Sequence, residues 1–321
     1  MVKNGNIIGI KEILSHLFLK YFKNTSEHSN VTSSYWRNVG VNEVSINLDG
    51  EYDLSGYAFG GYTKKTFLNY LKQIPYNILL KNMFNQYNLS KIYLKKMEEI
   101  LDKYGFSQSV DSYKQITSYS KVMEVLKDKK YFEDHQKKCV CIIGDGYGFL
   151  TSFIHLIDPQ TKIICINLGR TLFFDVFYSS KNFSDTNTIL LDCEKNKRDF
   201  LDNANIVFIE AENYKLLENL PIDLFINIAS MQEMNPDIIN NYFKFMRKSS
   251  SSSCFFYCCN RQYKELPDGT EIVFANYPWA EKDIILFDEL CPWYQKSPSL
   301  RPPFYHKYDG PIQHRLVKLY K

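Results

Sequence analysis

The chain has 321 residues, 45% of them hydrophobic and 23% charged, enough to bury one large core or one core and a smaller domain. Its 39 lysines and arginines exceed its 36 aspartates and glutamates by three and are scattered, which argues against the basic footprint of a nucleic-acid-binding protein. No apolar run reaches the roughly 18 residues that span a bilayer, and the eight cysteines and six histidines lack CxxC or ligand spacing, so neither a disulfide framework nor a metal site is expected.

At the N-terminus, Ile10, Ile13, Leu14, Leu17, Phe18 and Tyr21 recur at helical spacing. Lys11, Glu12, His16 and Lys20 interrupt the run, so the segment reads as an amphipathic helix of a cytoplasmic protein and not as an export signal. The Tyr-, Gly- and Asn-rich stretch "SSYWRNVGVNEVSINLDGEYDLSGYAFGGY" follows and reads as a loop carrying a short hairpin. Trp36, Arg37 and Tyr57 within it are candidates for facing a substrate. Three helical stretches come next, "KTFLNYLKQI", "LLKNMFNQYNLSKIYLKKMEEILDKYG" and "YSKVMEVLKDKKYF", the longest stopped by Gly105. Residues 1–110 are accordingly expected to form a mainly helical N-terminal or cap region.

From Lys138 the texture alternates. "CVCIIG", "KIICINL", "NIVFIEA", "IDLFINIAS" and "SSSCFFYCCN" are short apolar runs separated by stretches long enough for helices. Strands buried on both faces read this way, and the alternation predicts a mostly parallel α/β sheet with helices on both sides over residues 111–321. "DIILFDEL" and "IQHRLVKLY" lack a clear helix between them, which suits an antiparallel edge.

Directly after the first of these strands stand Gly144, Asp145, Gly146, Tyr147 and Gly148. Glycines between a strand and a helix let a ligand approach backbone amides at the carboxyl edge of a sheet. The G-D-G-Y-G spacing is neither that of a dinucleotide fold nor that of a P-loop. A structural glycine turn is the plain alternative.

Alternate glycines in this position resemble the first motif of the class I S-adenosylmethionine-dependent methyltransferases, whose loop wraps the methionine end of the cofactor. "IGDGYG", "INLGRTLFFDV", "NIASMQEMN" and "HRLVKLY" further resemble the sugar O-methyltransferases found with bacterial surface-polysaccharide genes, over roughly residues 110–321. The resemblance implies a Rossmann-like methyltransferase fold that uses S-adenosylmethionine. It puts Asn167 and Leu168 at the ribose, Glu212 and Asn213 near the adenine, and Ser230 and Gln232 beside the transferable methyl group. The chain departs from the pattern twice: Ile142 stands where many relatives carry an acid, and Asn167 replaces the ribose carboxylate. Asp145 is expected to compensate by facing the methionine ammonium.

A weakly nucleophilic sugar hydroxyl needs a general base. Glu233, after the fourth strand, and His314, on the last one, are the candidates. Asn260, Arg261 and Arg301, with Trp36, Arg37 and Tyr57, are the candidates for holding a sugar or sugar-phosphate acceptor by stacking and charged hydrogen bonds. A nitrogen acceptor, a catalytically inactive binding subunit and, less favoured, a worn dehydrogenase remain as alternatives, and the sequence allows a homodimer.

Overall fold

The computed structural model describes residues 7–23, 32–38, 43–47, 51–55, 64–132, 138–183, 187–194, 202–249 and 252–321. Its centre is a nine-stranded sheet. In chain order the strands are β1 (Ile7–Ile8), β2 (Cys139–Ile143), β3 (Lys162–Asn167), β4 (Thr188–Leu190), β5 (Ile206–Glu210), β6 (Leu224–Ile228), β7 (Ser253–Arg261), β8 (Ile284–Leu290) and β9 (Ile312–Tyr320). They lie in the order β1-β4-β5-β3-β2-β6-β7-β9-β8. The run from β4 to β7 is parallel, whereas β9 pairs antiparallel with β7, β8 with β9, and β1 with β4. This is the Rossmann-like α/β sheet with an antiparallel edge that the alternation of apolar runs predicts.

The parallel strands are apolar on both faces because helices cover both. Ile163, Cys165, Ile206 and Phe208 face one cluster of the core, together with Phe149 and Phe153 of α6 (Phe149–Ile157) and Phe173 of α7 (Gly169–Phe183). Their neighbours Ile164, Ile166, Val207 and Ile209 face the other, with Ile239, Phe243 and Met246 of α8 (Pro236–Lys248). The strand period of two thus splits one apolar run between two layers.

The N-terminal elements join the first of these layers. Ile13 and Leu17 of α1 (Ile10–Phe18), Leu80 and Phe84 of α3 (Phe67–Phe84), Ile100 of α4 (Lys91–Tyr104) and Ile116 of α5 (Val110–Asp128) are buried in the same cluster as β2 and β3. A short helix α2 (Ser34–Asn38) precedes the hairpin Glu43–Ile46/Tyr52–Ser55. The stretch read as one long helix is two. Asn88 takes a left-handed φ of 49°, and the Ser90 hydroxyl accepts from the Tyr93 amide to start α4, which ends on left-handed Gly105 as expected. The sequence reading passed over β1 and β4, whose two and three residues are too few to display a period.

Helices α6 and α7 touch at Gly148. Its φ is +60°, and a Cβ there would meet Ser179 Oγ at 2.0 Å and the Asp175 carbonyl oxygen at 2.4 Å. This glycine therefore serves helix packing. Gly148→Val is expected to lower stability by about 2–4 kcal/mol through overpacking and left-handed strain. A denaturation midpoint equal to that of the parent protein would contradict this packing.

Candidate functional site

The carboxyl ends of β2, β3, β6 and β7 open onto two adjoining cavities. One, of about 330 Å³, is walled by the glycine loop, the segment after β6, α2, the start of α5 and the loop leading into β9. The other, of about 30 Å³, is a narrow, mostly apolar slot among Ile143, Ile166, Leu168, Ala211, Met234 and Ile238. Trp36, Gly144, Asn167, Ser230 and Glu233 line both.

The loop is built on left-handed backbone, with φ of 78° at Gly144, 89° at Gly146 and 60° at Gly148. Gly144 and Gly146 face the larger cavity. Gly144 also passes close to Ser230, whose Oγ would lie 2.2 Å from an added Cβ. Tyr147 turns away into the core, edge-on to Tyr178 at 4.8 Å and near Phe106 at 5.7 Å. Asp145 lines the cavity, but both its oxygens are engaged: Oδ1 accepts from the Leu150 amide (2.9 Å) and Oδ2 from that of Thr151 (2.8 Å). It caps the first turn of α6 while lining the cavity.

Beneath the loop lies a residue that the sequence reading did not single out. Asp175 of α7 has no exposed surface. It accepts from the Gly148 amide (3.0 Å) and from Asn167 Nδ2 (2.7 Å), with Cys165 Sγ at 3.5 Å. Burial, and then the neighbouring Asp145 charge, push its carboxyl well above the ordinary range. Asn167 Oδ1 in turn accepts from the Leu168 amide at 2.9 Å. The Asn167 side chain, expected at the ribose, is thus bonded within the protein at both ends, while Leu168 lines the slot. An aspartate in the middle of "TLFFDVF" is the signal that could have revealed this brace.

On β5 the buried carboxylate is Glu210, which accepts from Lys20 Nζ (2.7 Å) and Tyr21 OH (2.5 Å). Glu212 is partly exposed and 3.7 Å from Lys20, and Asn213 donates to Asp192 at 3.1 Å. Neither Glu212 nor Asn213 lines the two cavities, which corrects their assignment to the adenine.

Glu233 does lie in the cleft. Its Oε1 accepts from Lys264 Nζ at 2.8 Å, and its side chain is 13% exposed. Burial raises its carboxyl above the ordinary value, and Lys264 opposes that rise. Gln232 stands beside it, its Oε1 accepting from the Arg261 amide at 2.7 Å and its own amide donating to Asn260 Oδ1 at 3.0 Å. Asn260 is fully buried, donates to Asn227 Oδ1 (2.8 Å) and lies behind the cavity wall, so its predicted contact with an acceptor is corrected.

His314 is not at the site. It is fully buried between β7 and β8, with Nδ1 3.2 Å from Tyr257 OH and Nε2 3.4 Å from Glu289 Oε1. Trp293 stands edge-on to its ring at 5.0 Å, and burial lowers its pKa to about 4. A neutral core histidine replaces the predicted base.

Among the predicted acceptor residues, Trp36 and Arg261 line the cavity. Arg261 Nη1 lies 3.2 Å from Asp309 Oδ2, and its guanidinium is 5.8 Å from the Tyr308 ring centre. Arg37 and Arg301 are exposed and do not line it, and Tyr57 lies outside the described residues. The structure adds Tyr35, Asp111, Lys264, Tyr294 and Tyr308 to the wall. Lys114, buried behind it, holds its ammonium 4.1 and 4.2 Å from the Tyr294 and Tyr308 ring centres and 3.7 Å from Asp111. These residues come from separate stretches with no shared spacing, so nothing in the sequence groups them.

No known protein family matches the chain, and no protein of curated function matches it. Partial likenesses to solved structures include coclaurine N-methyltransferase bound to N-methylheliamine and SAH (12% identity, 80% of this chain and 89% of that one, TM-score 0.37). An antibiotic-related methyltransferase (15%, 62% and 93%, TM-score 0.35) and a SAM-dependent methyltransferase from Aquifex aeolicus (11%, 61% and 89%, TM-score 0.31) are others. At these scores the likenesses carry no argument, and the fold of this chain rests on its own strand order.

The Glu233–Lys264 pair makes a checkable statement about charge. A carboxyl whose folded pKa is raised contributes stability that is fully present below its unfolded value and is lost as pH rises through the folded one. Lys264→Met removes the opposing charge, so the Glu233 pKa should rise further, and the alkaline loss of stability should deepen. Carboxyl-carbon NMR titration of parent and variant reads the shift, and equal values would contradict the pairing.

Proposed function

We propose that this chain is an S-adenosylmethionine-dependent methyltransferase acting on a hydroxyl of a sugar, nucleotide-activated or glycan-linked, in surface-polysaccharide (capsule) biosynthesis. The observation that carries the reading is the left-handed glycine loop between β2 and α6, opening at the carboxyl edge of the sheet onto an apolar slot joined to a polar cleft. The residues present fit the cofactor. Ile143, Ile166 and Leu168 offer apolar surface that suits the faces of a purine, in a slot that at about 30 Å³ has to open further to admit one, and Gly146 leaves backbone facing the larger cavity for the methionine end, whereas Ser230 fills the space above Gly144.

When bound, S-adenosylmethionine supplies a methyl group on a positively charged sulfur. The chain's own task is to hold the acceptor in line and take its proton. Glu233 suits the second role: it lines the cleft, and burial makes it more basic than an exposed carboxylate. Lys264 fixes its orientation. Arg261 and the rings of Tyr294 and Tyr308 suit an acceptor that stacks and carries phosphate. The same rings with Asp111 and Glu233 also suit an ammonium, which makes an amine acceptor the second reading. A cap of residues 1–110 over a cofactor domain of 111–321, a cytoplasmic location and a homodimer belong to the first reading. Among the described residues, no helix is long and apolar enough to cross a membrane.

Calorimetry should show binding of S-adenosylmethionine and S-adenosylhomocysteine and none of NAD. Gly146→Val, at a φ of 89° on the cavity wall, should abolish S-adenosylhomocysteine binding in a protein that circular dichroism shows to be folded. NAD binding alone would replace the reading with a dehydrogenase.

The base is tested separately. With a panel of sugar and sugar-phosphate acceptors, Glu233→Gln should lower the rate at saturation by about 10²–10⁴-fold. A loss below tenfold would leave transfer to positioning and remove Glu233 as the base.

A further inference from the structure

Trp36 comes from a segment about a hundred residues before the glycine loop, yet it lines both cavities. Its neighbours explain how it is held there. The Ser33 hydroxyl donates to the backbone carbonyl of Glu233, and Ser33 itself is 2% exposed. Lys264, while donating to Glu233, lies 3.9 Å from the Tyr35 ring centre. Tyr35 stands edge-on to Trp36, centroids 5.5 Å apart and planes at 87°. Glu233, Lys264, Tyr35 and Trp36 therefore form one chain of contacts that straps α2 across the carboxyl edge of the sheet. The ammonium over the Tyr35 face and the edge-to-face ring pair are both directional contacts, so the strap has a defined position.

The slot that Trp36 helps to line is walled mostly by apolar side chains, Leu168, Ile166 and Ile143 with Met234 and Ile238, and also by Ser33 and Tyr242. Polar groups gather where it meets the larger cleft, at Asn167, Ser230 and Glu233. A flat, apolar-faced ring with a polar attachment at one edge matches this distribution, whereas a polyhydroxylated acceptor would leave hydroxyls unpaired in the apolar part. Sequence reasoning put Trp36 on the acceptor side. We propose instead that Trp36 is a cofactor-binding residue that stacks on the purine of the bound nucleoside, and that Lys264 is the positioning residue that keeps it there.

This assignment rests on the cofactor reading above and makes a narrower claim. Trp36→Ala should weaken S-adenosylhomocysteine at least about tenfold and weaken adenosine in parallel, while Trp36→Phe, which keeps a ring, should restore most of the affinity. The chain has three tryptophans, and the emission change on titrating S-adenosylhomocysteine should vanish in Trp36→Phe. Lys264→Met should speed ligand release by about tenfold and Lys264→Arg, which keeps a cation over Tyr35, should reverse that.

Stopped-flow fluorescence and calorimetry on the full chain supply these readings, with thermal unfolding to confirm that each variant is folded. Wild-type binding with unchanged affinity in Trp36→Ala would overturn the purine-stacking assignment and leave the methyltransferase reading intact. Loss of acceptor affinity alone would return Trp36 to the acceptor side. Failure of the wild type to bind S-adenosylhomocysteine would remove the cofactor reading, and this proposal with it.

Discussion

The site depends on one buried carboxylate. Asp175 has no contact with water, yet it accepts hydrogen bonds from the glycine loop at Gly148 and from the end of the second parallel strand at Asn167. Two backbone segments that both line the cavities are thereby held at fixed distance from α7. Burying a carboxylate is costly, and the cost is reduced when strong donors surround it or when it takes up a proton. Here both routes are open, because its two short bonds come from a backbone amide and a side-chain amide, and no cation faces it among the bonds described. The geometry of the loop is therefore tied to the electrostatics of a group one layer below it.

The layering explains how far the sequence could be read. The five long parallel strands were legible because their burial on both faces leaves a continuous apolar run, which no surface element imitates. The loop was legible because left-handed backbone calls for glycine. The rest of the site was not. Asn167 stood at the predicted strand end, but its partner is eight residues away on a helix, and a side-chain pair of that kind leaves no periodic trace. His314 does alternate with Arg315; what the alternation could not show was that β8 extends the sheet beyond β9 and that the rings of Tyr257, Phe287 and Trp293 enclose the inward residue, so that it faces core and not a cleft. Asp111, Lys264, Tyr294 and Tyr308 meet only through the fold.

Charge in the cleft is arranged in neutralising pairs: Glu233 with Lys264, Asp111 near Lys114, and Arg261 with Asp309. The third differs from the others in that its carboxylate is almost fully exposed, at 95%. An exposed partner contributes little and exchanges readily with another anion. Arg261 Nη1 also donates to the Asp309 backbone carbonyl, so the guanidinium keeps its place while its exposed carboxylate partner can give way.

The pairing of the N-terminal segment with distant parts of the sheet also bears on how the chain reaches this structure. Strand β1 pairs with Leu190 and Ile189, and Lys20 with Glu210, across a sequence separation of 190 residues. During synthesis the first helix leaves the ribosome long before its sheet partners exist, and its apolar face must wait. Contacts of such separation slow folding and prolong the exposure of apolar surface. Ser33, which holds α2 against the cavities, likewise reaches Glu233 across 200 residues, so the wall that α2 supplies rests on contacts of the same long separation.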